Sequence, residues 1–114
     1  VQPPIFHLAD PDEWAAAVAS GGYERSTRGR TLADEGFIHT SYAVQWPVVR
    51  RAFYADVATP LLLLTIDPER LTSPLVVEVG NPATGEEFPH IYGPLNPDAV
   101  VAVEQLDPPH HLSP

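Results

Sequence analysis

The chain has 114 residues, 44% of them hydrophobic and 18% charged, with no cysteine and a formal net charge of −9. A length of this order suits one domain that buries roughly two-thirds of its unfolded surface without staples. The composition excludes a disordered chain and, lacking cysteine, a disulfide scaffold or zinc–thiolate centre, while the acidity argues against a general nucleic-acid binder.

No apolar run nears the ~20 residues of a membrane-spanning helix. No basic stretch leads into an apolar one at the start, so a cytoplasmic location with no membrane association is expected. Five of the six basic residues, Arg25, Arg28, Arg30, Arg50 and Arg51, fall between positions 25 and 51. That asymmetry leaves room for one anionic small-molecule ligand on an otherwise acidic protein.

In chain order, Val1 to Pro4 is an extended lead-in and Ile5 to Leu8 a short apolar strand. Asp10-Pro11-Asp12-Glu13 starts a helix: Asp10 caps, Pro11 fits the first helical position, and Glu13 stands where a capping-box acid belongs. Trp14, Ala17 and Val18 give that helix a core face, and Gly21-Gly22 ends it. Tyr23 to Ser26 pairs briefly, and polar Thr27 to Asp34, with Arg28-Gly29-Arg30, reads as a loop.

Glu35-Gly36-Phe37-Ile38-His39-Thr40-Ser41 is the densest stretch of chemistry in the chain. Gly36 marks a turn and Phe37-Ile38 suits a strand. Thr40 or Ser41 is placed to cap a second helix, in which Val48, Val49, Ala52 and Phe53 face the core while Arg50 and Arg51 face water or a ligand. Leu61 to Ile66 is a central strand, and Asp67 to Leu71 one helical turn. Leu75 to Val79, Phe88 to Tyr92 and Ala99 to Leu106 are further strands, with a turn at Asn81 to Glu86. The order indicates an α+β fold, one domain over 1–106, followed by a flexible tail at 107–114 in which His110 and His111 are solvated.

His7, His39 and His90 each stand among large apolar residues in separate segments. An imidazole is costly there unless its nitrogens find partners, and convergence on one site would supply them. Their wide spacing offers no pre-oriented ligand pair, so no metal is expected. Ser41, two residues from His39, lacks a nucleophile-elbow motif and suits capping. An anionic nucleotide fits better: helix amides beside Thr40 and Ser41, Arg28 or Arg30 for phosphate, Tyr92 for stacking, and Glu35 or Glu104 as an acid or base.

These residues also carry a resemblance. Ile5-Phe6-His7-Leu8 with Trp14, Glu35 to Ser41 with Gln45, the Leu61 to Asp67 strand, and Phe88-Pro89-His90-Ile91-Tyr92-Gly93-Pro94-Leu95 together resemble the bacterial domain-of-unknown-function family 952, from about Ile5 to Leu106. The resemblance implies a fold similar to ADP-ribosyltransferases, with two main helices and a split, bent, mostly antiparallel sheet around a nicotinamide-nucleotide cleft. It implies His7 on the ribose of NAD, and His39 with Ser41 at the second motif position. The late-strand Glu104 is no match to the third position. RNA phosphotransferase relatives use histidine and arginine, which would suit His7, His39 and Arg28 or Arg30, although the acidity disfavours a large RNA substrate.

The resulting expectation is a histidine-lined cleft for NAD or a related phosphorylated nucleotide, with ADP-ribose transfer as the reaction. His7, His39 and His90 are its catalytic candidates, and Ser41, Arg28, Arg30, Tyr92, Thr40 and Glu35 its ligand-binding ones. The alternatives are a non-catalytic metabolite- or partner-binding domain and a small enzyme using the histidines for acid–base work.

Overall fold

In the computed structural model, which describes residues 2–111, the central apolar strand organises the rest. Strand β5 (Leu61–Ile66) lies between β1 (Ile5–Ala9) and β8 (Val100–Leu106), antiparallel to both. Its side chains alternate, so both faces are covered. Leu64 and Ile66 join Ile5, Ala9, Ile38 and Ile91 in the main core, while Leu61 and Leu63 join Leu8, Tyr54 and Leu106 in a second cluster.

The first helix, α1 (Pro11–Ser20), forms as its sequence indicates. Asp10 accepts from the amides of Asp12 and Glu13 at 3.0 Å each, and Gly21 closes the helix in the left-handed region at φ 89°. Of the anticipated stripe, Trp14 and Ala17 face the core, but Val18 is exposed.

The brief pairing expected at Tyr23 to Ser26 is present, but the loop expected over Thr27 to Asp34 instead completes a hairpin of β2 (Arg25–Thr27) and β3 (Arg30–Thr31) and runs into a one-turn helix α2 (Leu32–Glu35). Thr31 and Asp34 make a reciprocal capping box there, which the polar composition concealed. Gly36, at φ 86°, turns the chain into β4 (Ile38–His39). β4 pairs with β7 (Glu86–Ile91), which pairs in turn with β6 (Leu75–Asn81), again antiparallel. The architecture is therefore α+β, with two three-stranded antiparallel sheets joined at one point. There the backbones of Phe6 and Ser41 exchange hydrogen bonds of 2.7 and 2.8 Å.

Helix α3 (Trp46–Phe53) departs from expectation in two ways. It begins at Trp46, with Pro47 in its first turn, so neither Thr40 nor Ser41 caps it. Thr40 donates instead to the carbonyl of Pro89 (2.6 Å), and Gln45 Oε1 takes the amide of Tyr42 (2.9 Å). Its faces are also exchanged: Val48 and Phe53 are exposed and Arg50 is buried. Arg50 Nε donates to His110 Nδ1 (3.0 Å) and its Nη2 to the carbonyl of Asp107 (2.9 Å), while His110 Nε2 donates to the carbonyl of Thr59 (2.8 Å).

His110 is thus fully buried, not solvated, whereas His111 is exposed. A long amphipathic side chain inverted the apparent apolar stripe, because its guanidinium found acceptors inside. Val1 and positions 112–114 of the anticipated tail lie outside the described residues. Among the described residues, no helix is long and apolar enough to cross a membrane.

Candidate functional site

The β4–β7 register sets His39 directly opposite His90 and Ile38 opposite Ile91. Alternation sends both isoleucines into the core and leaves the two imidazoles side by side, ring centroids 5.3 Å apart and nearly perpendicular. Phe37 stacks on His90 at 4.1 Å and meets His39 edge-on at 4.8 Å. Phe37 owes its place to Ser26, whose hydroxyl donates to its carbonyl.

His7 approaches from β1. Its Nδ1 lies 2.6 Å from the carbonyl of His39, so that nitrogen carries the hydrogen, and Nε2 accepts from the Tyr23 hydroxyl at 2.9 Å. Burial pushes the imidazole down from 6.5 to about 4, so it stays neutral. Both nitrogens are engaged within the protein. His7 therefore couples the two sheets at the site and positions His39.

His90 Nδ1 donates to Glu78 Oε2 at 2.7 Å, and the Tyr92 hydroxyl donates to the same oxygen. Those two bonds, Tyr92 first, hold the Glu78 carboxyl below its ordinary range and push the Tyr92 phenol up. His39 Nε2 donates to Glu35 Oε1 (3.1 Å), and Arg30 pairs with the other carboxylate oxygen (2.9 Å). The Glu35 carboxyl is lowered mainly by His39, with a smaller contribution from Arg30.

The three histidines share one cleft of about 420 Å³, within the usual range for small-molecule sites. Trp46, Val49 and Phe53 of α3 and Phe88 of β7 supply much of the apolar wall. Gly80 keeps it open: it is the extra residue of a bulge in β6, and a Cβ there would stand 2.6 Å from Phe88 Cδ1. Arg28 lies at the rim, bonded to both oxygens of Asp56 (2.6 and 3.0 Å) and to the carbonyl of Phe53 (3.2 Å). A second, more polar hollow of about 390 Å³ shares His7, Leu8, Thr27, Arg28 and Tyr54 with the cleft and adds Asp10, Glu13 and Asp56.

Of the anticipated site residues, His7, His39, His90, Thr40, Ser41 and Arg28 line the cleft. Arg30 and Glu35 form an ion pair on His39, and Tyr92 stands behind Glu78. Glu104 is exposed on β8 and is not part of the lining. Sequence reasoning missed Glu78 and the aromatic wall. A lone acid in Val76-Val77-Glu78-Val79, two positions diagonal to His90 in a hairpin register, was the available signal. Among the described residues, no group of three or more His, Cys, Asp or Glu side chains is placed to hold a metal ion.

Fold and site together define a small α+β domain built around a histidine-walled cleft. The chain belongs to the family described as "Protein of unknown function (DUF952)", whose model matches residues 8–103. It is similar to the crystal structure of protein CC0527 from Caulobacter crescentus, at 28% identity and a TM-score of 0.80 over 97% of this chain and 93% of that one. A double mutant of CC0527 gives 30% identity and the same TM-score and coverage. The solution structure of CC0527 gives 29% identity and a TM-score of 0.66 over 91% and 84%. No curated protein matches the chain.

Proposed function

We propose that the cleft binds NAD or a related phosphorylated nucleotide, its ring-bearing end among the histidines and its phosphates toward Arg28. The observation that carries this reading is the convergence of His7, His39 and His90, from three strands, on one largely apolar cleft of about 420 Å³. That volume suits a nucleoside-sized group. Trp46, Phe53 and Phe88 offer ring faces, and Arg28 offers a planar, bidentate donor.

The two sheets joined at Phe6 and Ser41 are compatible with the split sheet of an ADP-ribosyltransferase-like fold. In this reading the cytoplasmic protein releases nicotinamide from NAD and passes ADP-ribose to an acceptor. His39 and His90 contact the ligand, and His7 holds them in register.

The test is a thermal-shift and calorimetric titration with NAD, ADP-ribose and nicotinamide mononucleotide. NAD is expected to raise the melting temperature, and His39→Ala and Arg28→Ala to abolish or reduce the shift. No shift at millimolar concentrations of all three overturns the reading. Labelled NAD then separates turnover from binding: binding without nicotinamide release marks a non-catalytic domain.

A second reading, acid–base chemistry on a small uncharged metabolite, is favoured by one observation. The rim arginine is already bonded through two nitrogens to Asp56, and among the described residues no other arginine lines the cleft. Binding of uncharged ring compounds without any nucleotide binding would select it.

A further inference from the structure

Among the described residues, one buried side-chain nitrogen or oxygen lacks a partner: Nε2 of His90. The ring is only 2% exposed as part of its residue and belongs to the cleft wall. Its Nδ1 faces a carboxylate oxygen, which only accepts, so Nδ1 carries the hydrogen. In the neutral ring, Nε2 is then a bare lone pair. Phe37 stacked at 4.1 Å and His39 edge-on at 5.3 Å hold the ring plane. A buried acceptor left without a donor costs free energy, and that cost disappears when a ligand brings a donor.

We propose that His90 Nε2 is the specificity-determining acceptor of the cleft, selecting ring compounds that carry a carboxamide or hydroxyl donor. Glu78 is its positioning residue, fixing the tautomer that makes Nε2 an acceptor. Nε2 is shut from solvent in the free protein, so a donor reaches it only with a shift of the rings that pack around it. This deepens the nucleotide reading and rests on the cleft being a ligand site. The carboxamide of a nicotinamide ring donates to Nε2. A carboxylate in its place sets lone pair against lone pair and brings a charge into an apolar wall.

The experiment uses the whole chain, ¹⁵N-labelled at histidine, with long-range ¹H–¹⁵N spectra to read each ring's tautomer. Free protein is expected to show His90 protonated at Nδ1 and bare at Nε2. Benzamide should shift the Nε2 resonance and bind at least about tenfold tighter than methyl benzoate, which is one heavy atom larger and has no donor. Nicotinamide mononucleotide should outbind nicotinic acid mononucleotide in the same sense. His90→Leu should erase both preferences. Glu78→Gln should lower the Nδ1–H population and the discrimination together, a change that a structural role for Glu78 does not produce.

A His90 ring protonated at Nε2 in the free protein overturns the proposal. So do equal affinities for benzamide and methyl benzoate, or a Nε2 resonance that no donor-bearing probe moves. Discrimination among the benzoyl probes with no binding of any nucleotide sustains the acceptor and removes the nucleotide reading. Nucleotide binding without discrimination does the reverse.

Discussion

His7 and His90 are both buried imidazoles on antiparallel strands, yet they are built to opposite ends. His7 stands beside the double-faced β1–β5 core, with both nitrogens bonded and its charge suppressed by burial. His90 stands on the β4–β7–β6 sheet, with one nitrogen on a carboxylate and the other unmatched. The flanking edge strand β6 exposes Val76, Val77 and Val79, whereas β5 buries a leucine or isoleucine on either face. One sheet supplies most of the strand residues in the core, and the other holds a buried polar atom with no partner among the described residues. Unsatisfied groups of this kind persist at sites that stability alone would have repaired.

The comparison breaks most visibly at Leu64, which is fully buried at the centre of β5. Leu64→Ala is expected to cost ~3–5 kcal/mol through lost burial and a residual cavity, read from denaturant midpoints. A cost below ~1 kcal/mol would mean that the β5 sheet is not the stability core.

His7 gives the next largest effect, and its sign follows from linkage. The folded ring binds its proton at about 4 and the unfolded one at 6.5, so between those values the unfolded state holds more protons. Stability is full above pH ~6.5 and falls as the pH drops toward 4, by ~3 kcal/mol for this group. Chemical denaturation of the native chain and His7→Gln across that interval isolates the contribution. The ring resonances of His7 should stay neutral until near pH 4.

For His90→Leu, the expected stability change is within ~1 kcal/mol. The variant gives up the bond to Glu78 but also removes the unmatched nitrogen. Ligand selectivity is lost all the same, which is the sharpest form of the contrast. Arg28→Ala is the smallest: an ion pair between two exposed groups adds little to stability, so thermal stability should barely move while nucleotide affinity drops.

Much of the fold was legible because its signals are local. Asp10-Pro11 and Gly21 bracket α1, and an unbroken apolar run from Leu61 to Ile66 marks a strand covered on both sides. The convergence of His7, His39 and His90 was legible too, since each imidazole sat among apolar neighbours that had to be answered. What failed were pairings between distant segments. Thr40 looked like a cap until the Pro89 carbonyl took its hydroxyl, and Arg50 looked solvent-facing until His110 and the Asp107 carbonyl received its guanidinium. Periodicity assigns a face by side-chain type and has no way to register an acceptor sixty residues on. Glu78 was missed for the same reason: its meaning lies in a hairpin register.

The Arg50–His110 contact has a practical consequence for anyone cutting or joining this chain. Leu106 ends the last strand and is where a minimal fragment would naturally be trimmed. A fragment ending there loses the Asp107 carbonyl and the His110 ring, the two acceptors to which the buried Arg50 guanidinium of α3 donates. Because Trp46, Val49 and Phe53 of that helix wall the cleft, such a fragment should melt earlier and bind worse than one ending beyond His110. A fusion partner or tag at the C-terminal end needs a spacer placed after that histidine.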